Sequence, residues 1–296
     1  MRLRKSVGFA IFCLLAGSRW MVENASPSAL PILIEQSLHY ALVGMIALAL
    51  SLMRRRPGEY TIHSGLRLSA ASLLICVPAA MIDAAHVVSS VTAVALFALV
   101  PVVIVLSLAS SSSSSPGRAL MAPALIGMAG TLLLLGVQPP VTIHAGLRFA
   151  VVLAAVLLTS GGCIWMHTLL QYRCVPHAVA ILCGADAVVL GIVALLRDPV
   201  QLPVRSLPLE LLRCLTLDLP QLFLFVWLLR ELPPARFASR YLLVPLIVVL
   251  EEAIFLRPRF DLTMGTGILL MAAGGGALLL LKDVDEARKT SYLNLN

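Results

Sequence analysis

The chain has 296 residues, of which 59% are hydrophobic and only 12% charged, and its mean hydropathy is +0.96. A water-soluble core of this length cannot hide that much apolar surface, so the composition excludes a soluble globular protein and places the chain in a bilayer. The net charge of +7 suits the loops of such a protein and calls for no nucleic acid.

A hydrocarbon layer of about 30 Å takes roughly 20 apolar residues per helix. Stretches of that kind run over 6–25, 29–53, 66–85, 88–109, 118–137, 146–171, 177–197, 207–229, 236–256 and 263–281. They predict an all-α membrane protein with ten transmembrane helices, numbered here as spans 1 to 10. The longest polar gap, RRRPGEYTIHS at 54–64, leaves no room for a soluble domain. The serines Ser110 to Ser115, followed by Pro116 and Gly117, read as a flexible connection. The opening MRLRKSVGFAIFCLLAGS also has the layout of a secretory signal. Its counterpart later in the chain argues instead for a first membrane helix.

That counterpart is part of a repeat. Gly17 with Gly162, Trp20 with Trp165, Pro31 with Pro176, Pro101 with Pro245 and Gly130 with Gly274 are all separated by 144 or 145 residues. The chain therefore divides into five-helix repeats at 6–137 and 146–281, with a cytoplasmic tail at 282–296. An odd number of helices per repeat makes the copies enter the membrane from opposite sides, giving two inverted five-helix repeats. Pro101, in LVPVVIVL, and Pro245, in LVPLIVVL, then sit at matched places in spans 4 and 9 and are read as hinges. With the N-terminus in the cytoplasm, fifteen of the 22 lysines and arginines fall on the inner side, six on the outer, and Arg19 within span 1. The positive-inside rule therefore puts both termini in the cytoplasm, and the membrane is expected to be a bacterial inner membrane.

The five-plus-five arrangement, LLAGS in span 1, the LVP openings of spans 4 and 9, and the glycine-rich ALIGMAGTLLLLG and GTGILLMAAGGGALLLL resemble the EamA-type members of the drug/metabolite transporter superfamily. The resemblance covers residues 6 to 281. It implies a central cavity lined by spans 1, 3, 4, 6, 8 and 9, and an exporter of small metabolites such as amino acids. The chain departs from the family pattern at Ala16, where a tryptophan is common, at His39 and Tyr40, near the place of an arginine, and at Pro258, where a glutamate usually precedes the last span; Glu251 and Glu252 come too early to replace it.

Ionisable groups at membrane depth are the candidate site, because a charge there costs several kcal/mol unless it faces water or a partner. Asp218 falls mid-span in TLDLPQLF, with Gln221 one helical turn on, and Asp186 has a similar depth in span 7. Both carboxyls are candidates for proton coupling, against the alternative of a bond to a neighbouring helix. Arg19 and Glu23, spaced i,i+4 on one face of span 1, are candidates for substrate binding or else an internal ion pair. Glu35 and His39, at the same spacing, read as a structural pair. Trp20 and Trp165 are candidates for walls at opposite ends of a cavity, or for interfacial anchors.

No P-loop, HExxH or GxSxG sequence occurs, and the six cysteines form no CxxC. The reading is a secondary active transporter working by alternating access, not an enzyme, with no cofactor and no metal. Its partners are the bilayer, a small-molecule substrate and protons. Two other classes stay open: a non-transporting subunit, scaffold or partner in moving lipid-linked groups, and an intramembrane enzyme.

Overall fold

The computed structural model describes residues 2–28, 30–53, 62–111, 116–136, 142–171, 173–197, 207–256 and 261–281. Arg54 to Arg56, Ser112 to Ser115, Arg205, Arg257 to Arg259 and the tail at 282–296 lie outside the described residues. The described residues fold into helices joined by short turns, without a strand. Its helices are α1 (Arg2–Ala25), α2 (Ile32–Met53), α3 (Ile62–Ala84), α4 (Ser90–Phe97), α5 (Val100–Ser111), α6 (Pro116–Leu135), α7 (Ile143–Leu170), α8 (Val175–Arg197), α9 (Leu207–Arg213), a π turn (Cys214–Asp218), α10 (Leu219–Glu231), α11 (Pro234–Ala238), α12 (Arg240–Leu256) and α13 (Leu262–Leu280).

Eight helical segments are long and apolar enough to cross a membrane. The other two predicted spans are also helical: Ala119–Leu135 is a shorter apolar helix, and α12 has 17 residues. Polar side chains start several helices. Ser89 accepts from the Thr92 N–H, Thr142 from that of Ala145, and Asp261 from that of Leu262, each satisfying a donor that the first turn leaves without a partner.

Three spans are broken where the sequence predicts one continuous helix. Span 4 divides at Ala98 and Leu99, just before Pro101, whose missing N–H removes the donor that the Phe97 carbonyl would use. Span 9 divides at Ser239, where the hydroxyl and the amide both donate to the Arg236 carbonyl, at 2.6 and 3.2 Å. Pro245, six residues later, lies inside α12. Span 8 carries the π turn, in which the Leu219 N–H reaches the Cys214 carbonyl five residues back. Pro220 explains the widening: it cannot donate to Thr216, and its ring crowds that carbonyl.

The helices pack in matched pairs: α2 on α8, α6 on α13, α3 on α7, α1 on α10 and α12, and α5 on α6 and α7. Small residues set the closest of these approaches, as helices in lipid require. A Cβ at Gly274 would lie 2.4 Å from the Gly127 nitrogen and 2.6 Å from the Pro123 oxygen, and one at Gly130 would lie 2.7 Å from the Met271 nitrogen. These neighbours are backbone and cannot rotate away. Gly274→Val should therefore separate α6 from α13 and cost about 1–3 kcal/mol, as overpacking does, measured as a lower unfolding midpoint in detergent. Gly276→Ala, which enters open space, should leave the midpoint unchanged.

Candidate functional site

A cavity of about 650 Å³ lies between α1, α2, α3, α4, α10 and α12. Its residues fall on one face of each helix; on α1 these are Phe12, Ala16, Arg19, Trp20 and Glu23. Span 6, expected at the wall, supplies no lining residue, and span 2 supplies Gln36, His39 and Tyr40. At one end Asp83 and the partly exposed Glu23 meet the surface. At the other end the buried rings of Phe12 and Phe237 close on Phe225, with centroids 5.4 to 6.4 Å apart. Beyond this plug, Lys5 pairs with Glu231 at 3.0 Å and the Arg4 guanidinium lies over Trp227 at 5.5 Å, tying α1 to α10. The cavity is thus open toward the C-terminal end of α1 and closed toward its N-terminal end.

Asp218 is the hub of the polar wall. Its Oδ1 accepts from Arg19 Nη1 at 2.6 Å, and Arg19 Nε donates to Glu23 Oε1 at 2.7 Å. The other oxygen, Oδ2, lies 2.8 Å from His39 Nδ1, without the alignment of a hydrogen bond. On its far side His39 Nε2 is 3.7 Å from Glu210 Oε2, and Glu210 Oε1 accepts from Arg213 at 3.1 Å. Arg213 also donates to the Ser26 carbonyl, and Glu35 stands in the same cluster. His39, Glu210, Arg213 and Asp218 are all buried. The π turn makes this arrangement: its wider winding puts Glu210, Arg213 and Asp218 on one side of the span.

Two donor sets in this cluster have the proximity of a metal site, His39 with Cys214 and Asp218, and His39 with Glu35 and Glu210. Their chemistry does not suit one. Arg19 and Arg213 already occupy the carboxylates of Asp218 and Glu210, and the Cys214 thiol donates to the His39 carbonyl at 3.6 Å. In each set a cation would share its carboxylate with a guanidinium already bound to the other oxygen, Arg19 on Asp218 Oδ1 or Arg213 on Glu210 Oε1.

The sequence-derived candidates divide accordingly. Arg19, Trp20, Glu23, Asp218, Gln221 and Pro245 all line the cavity, and the Gln221 Oε1 has no partner among the described groups. Asp186 does not join them: it is buried between α3 and α8, where its Oδ2 accepts from the Ser72 hydroxyl at 2.6 Å. Trp165 is 37% exposed on α7, outside the cavity, and Pro101 is also absent from the wall.

Sequence reasoning missed Arg240, counting it only among the positive charges of the inner side. It is buried at the cavity wall, its guanidinium carbon 4.4 to 4.6 Å from the ring centres of Phe225, Phe237 and Tyr241 and 5.9 Å from Phe12. Nη2 donates to the Tyr241 hydroxyl at 2.7 Å, and Nε has no acceptor. Desolvated cation–π contacts return about 2 kcal/mol, against several kcal/mol for removing a charge from water. The rings therefore offset only part of the cost of burying this charge. The signal in the sequence was its position directly before the apolar run YLLVPLIVVL.

No family model and no curated protein matches this chain. Twenty solved chains do. One of them, a crystal structure of a protein, has a TM-score of 0.74 at 19% identity, with 95% of this chain and 98% of that chain covered. The likeness establishes a shared fold along nearly the whole length.

The pairing of Arg19 with Asp218 can be measured by a double-mutant cycle. Arg19→Met strands a buried carboxylate and should cost about 3–5 kcal/mol. Adding Asp218→Leu should recover part of that loss, with a coupling of about 1–3 kcal/mol in unfolding free energy. The Arg19 and Glu23 cycle should give under about 1 kcal/mol, because Glu23 is 42% exposed.

Proposed function

We propose that the chain is a secondary active transporter of small metabolites, an exporter working by alternating access and coupled to protons. The observation that carries this reading is the cavity itself: about 650 Å³ at membrane depth, open at one end and plugged at the other, with buried charge on its wall. Pockets of this volume suit a small molecule. A sealed interior would have favoured a scaffold or subunit.

The ten-span, inverted-repeat architecture belongs to the same proposal, as does membership of the EamA-type transporters. The close approach of α6 and α13 supports the repeat. At an offset of 144, Gly130 against Met271 and Gly267 becomes Gly274 against Gly127 and Pro123, and both sets of contacts occur. The exchange of halves also maps α3 on α7 to α10 on α1, and α12 on α1 to α5 on α7, all of which pack together. Such reciprocity is expected of repeats related by a two-fold axis in the membrane plane.

Proton coupling would rest on the cluster around Asp218. Four carboxyl groups, Glu23, Glu35, Glu210 and Asp218, face two guanidinium groups and one imidazole. Charge balance in a low-dielectric wall calls for bound protons. Opening the cavity to either side would then load or release them. In reconstituted vesicles screened with a metabolite mixture, the parent protein should accumulate its substrate under an imposed proton gradient. Asp218→Asn should lose that accumulation and keep exchange of substrate across the membrane. An Asn variant that concentrates substrate as well as the parent does would remove Asp218 from coupling, and absence of any proton-dependent flux in the parent would overturn the transport reading.

A further inference from the structure

Two arginines line the cavity, and they are not equivalent. Arg19 is committed, with Asp218 and Glu23 on its donors. Among the described residues Arg240 has no carboxylate partner. One of its nitrogens donates to a neutral phenol, another has no acceptor, and three aromatic rings lie 4.4 to 4.6 Å from its guanidinium carbon. It therefore carries a full positive charge, nine-tenths buried, in the wall of a space large enough for a solute.

We propose that Arg240 is the docking point for the anionic end of the transported solute, and that this end is a monoanionic carboxylate. The inference rests on the transporter reading above and narrows its substrate class. A single unmatched cation balances one negative charge. A phosphate dianion would bring a second charge, which Arg19 cannot meet without giving up Asp218. The planar fork of a guanidinium also suits a carboxylate, and the adjoining Phe225 and Tyr241 rings offer an apolar wall to whatever follows it. Because Arg240 also packs against Phe12 and Phe237 of the plug, a docked carboxylate acts on the rings that must separate for the cavity to open at its closed end.

The test is equilibrium binding to the purified full-length protein in detergent, read by thermal shift over a concentration series. The probes are 3-phenylpropionate and hexanoate, with their primary amides as uncharged twins and phenyl phosphate as the dianion. The acids should bind the parent at least about tenfold more tightly than the amides, as a charge-assisted hydrogen bond provides. Arg240→Lys should weaken the acids and retain their preference, and Arg240→Gln should erase the difference between acid and amide. Acids that bind no better than amides, a preference that survives Arg240→Gln, or unchanged acid affinity in Arg240→Lys would overturn the assignment. Phenyl phosphate binding above both acids would overturn its monoanionic part. If Arg240→Gln does not fold, the ratio in the parent and the acid affinity of Arg240→Lys decide. Acid binding without flux in vesicles would instead count against the transport reading and leave the docking site standing.

Discussion

A carboxylate inside hydrocarbon has to be met by protein, and Asp218 is met from two directions at once, by Arg19 of α1 and by His39 of α2. The three helices that supply these groups form one side of the cavity, so the polar wall is also a tie between them. The tie is ionic, made by Arg19 and His39 on one carboxylate. A wall of leucines would hold the helices together as well.

The opposite side of the cavity is built differently. Around Arg240 the neighbours are rings, and the charge is tolerated by stacking and by one phenol. The cavity thus has an acidic mouth at Glu23 and Asp83 and a cationic, aromatic floor.

Much of the fold was legible in the sequence, because a bilayer leaves the backbone few options and long apolar runs have to be helices. The matched glycines were legible for the same reason: Gly130 and Gly274 mark where two backbones touch. The site was readable only where a charge stood in the middle of an apolar run, as with Asp218, Arg19 and Glu23. Arg213 and Arg240 stand at the ends of such runs, where composition cannot tell a loop charge from a buried one. The breaks at Ala98 and Ser239, and the widened winding before Pro220, were hidden because hydropathy counts residues and is blind to how they are wound. Trp20 and Trp165 match in sequence, yet only Trp20 faces the cavity; a repeat fixes where a residue sits on its helix, while the neighbours decide what it touches.

The π turn at Cys214–Asp218 gives this span one residue more than an α-helix would need over the same path. Winding those five as regular α-helix, with none removed, would rotate everything before them by about 100° relative to everything after them. Gln221 and Phe225 would keep their places at the cavity, while Glu210 and Arg213 would swing off His39 and Ser26 toward the lipid. The widened turn therefore acts as a phase setting between two halves of one helix: it takes up the extra residue without carrying Glu210 and Arg213 away from the polar cluster.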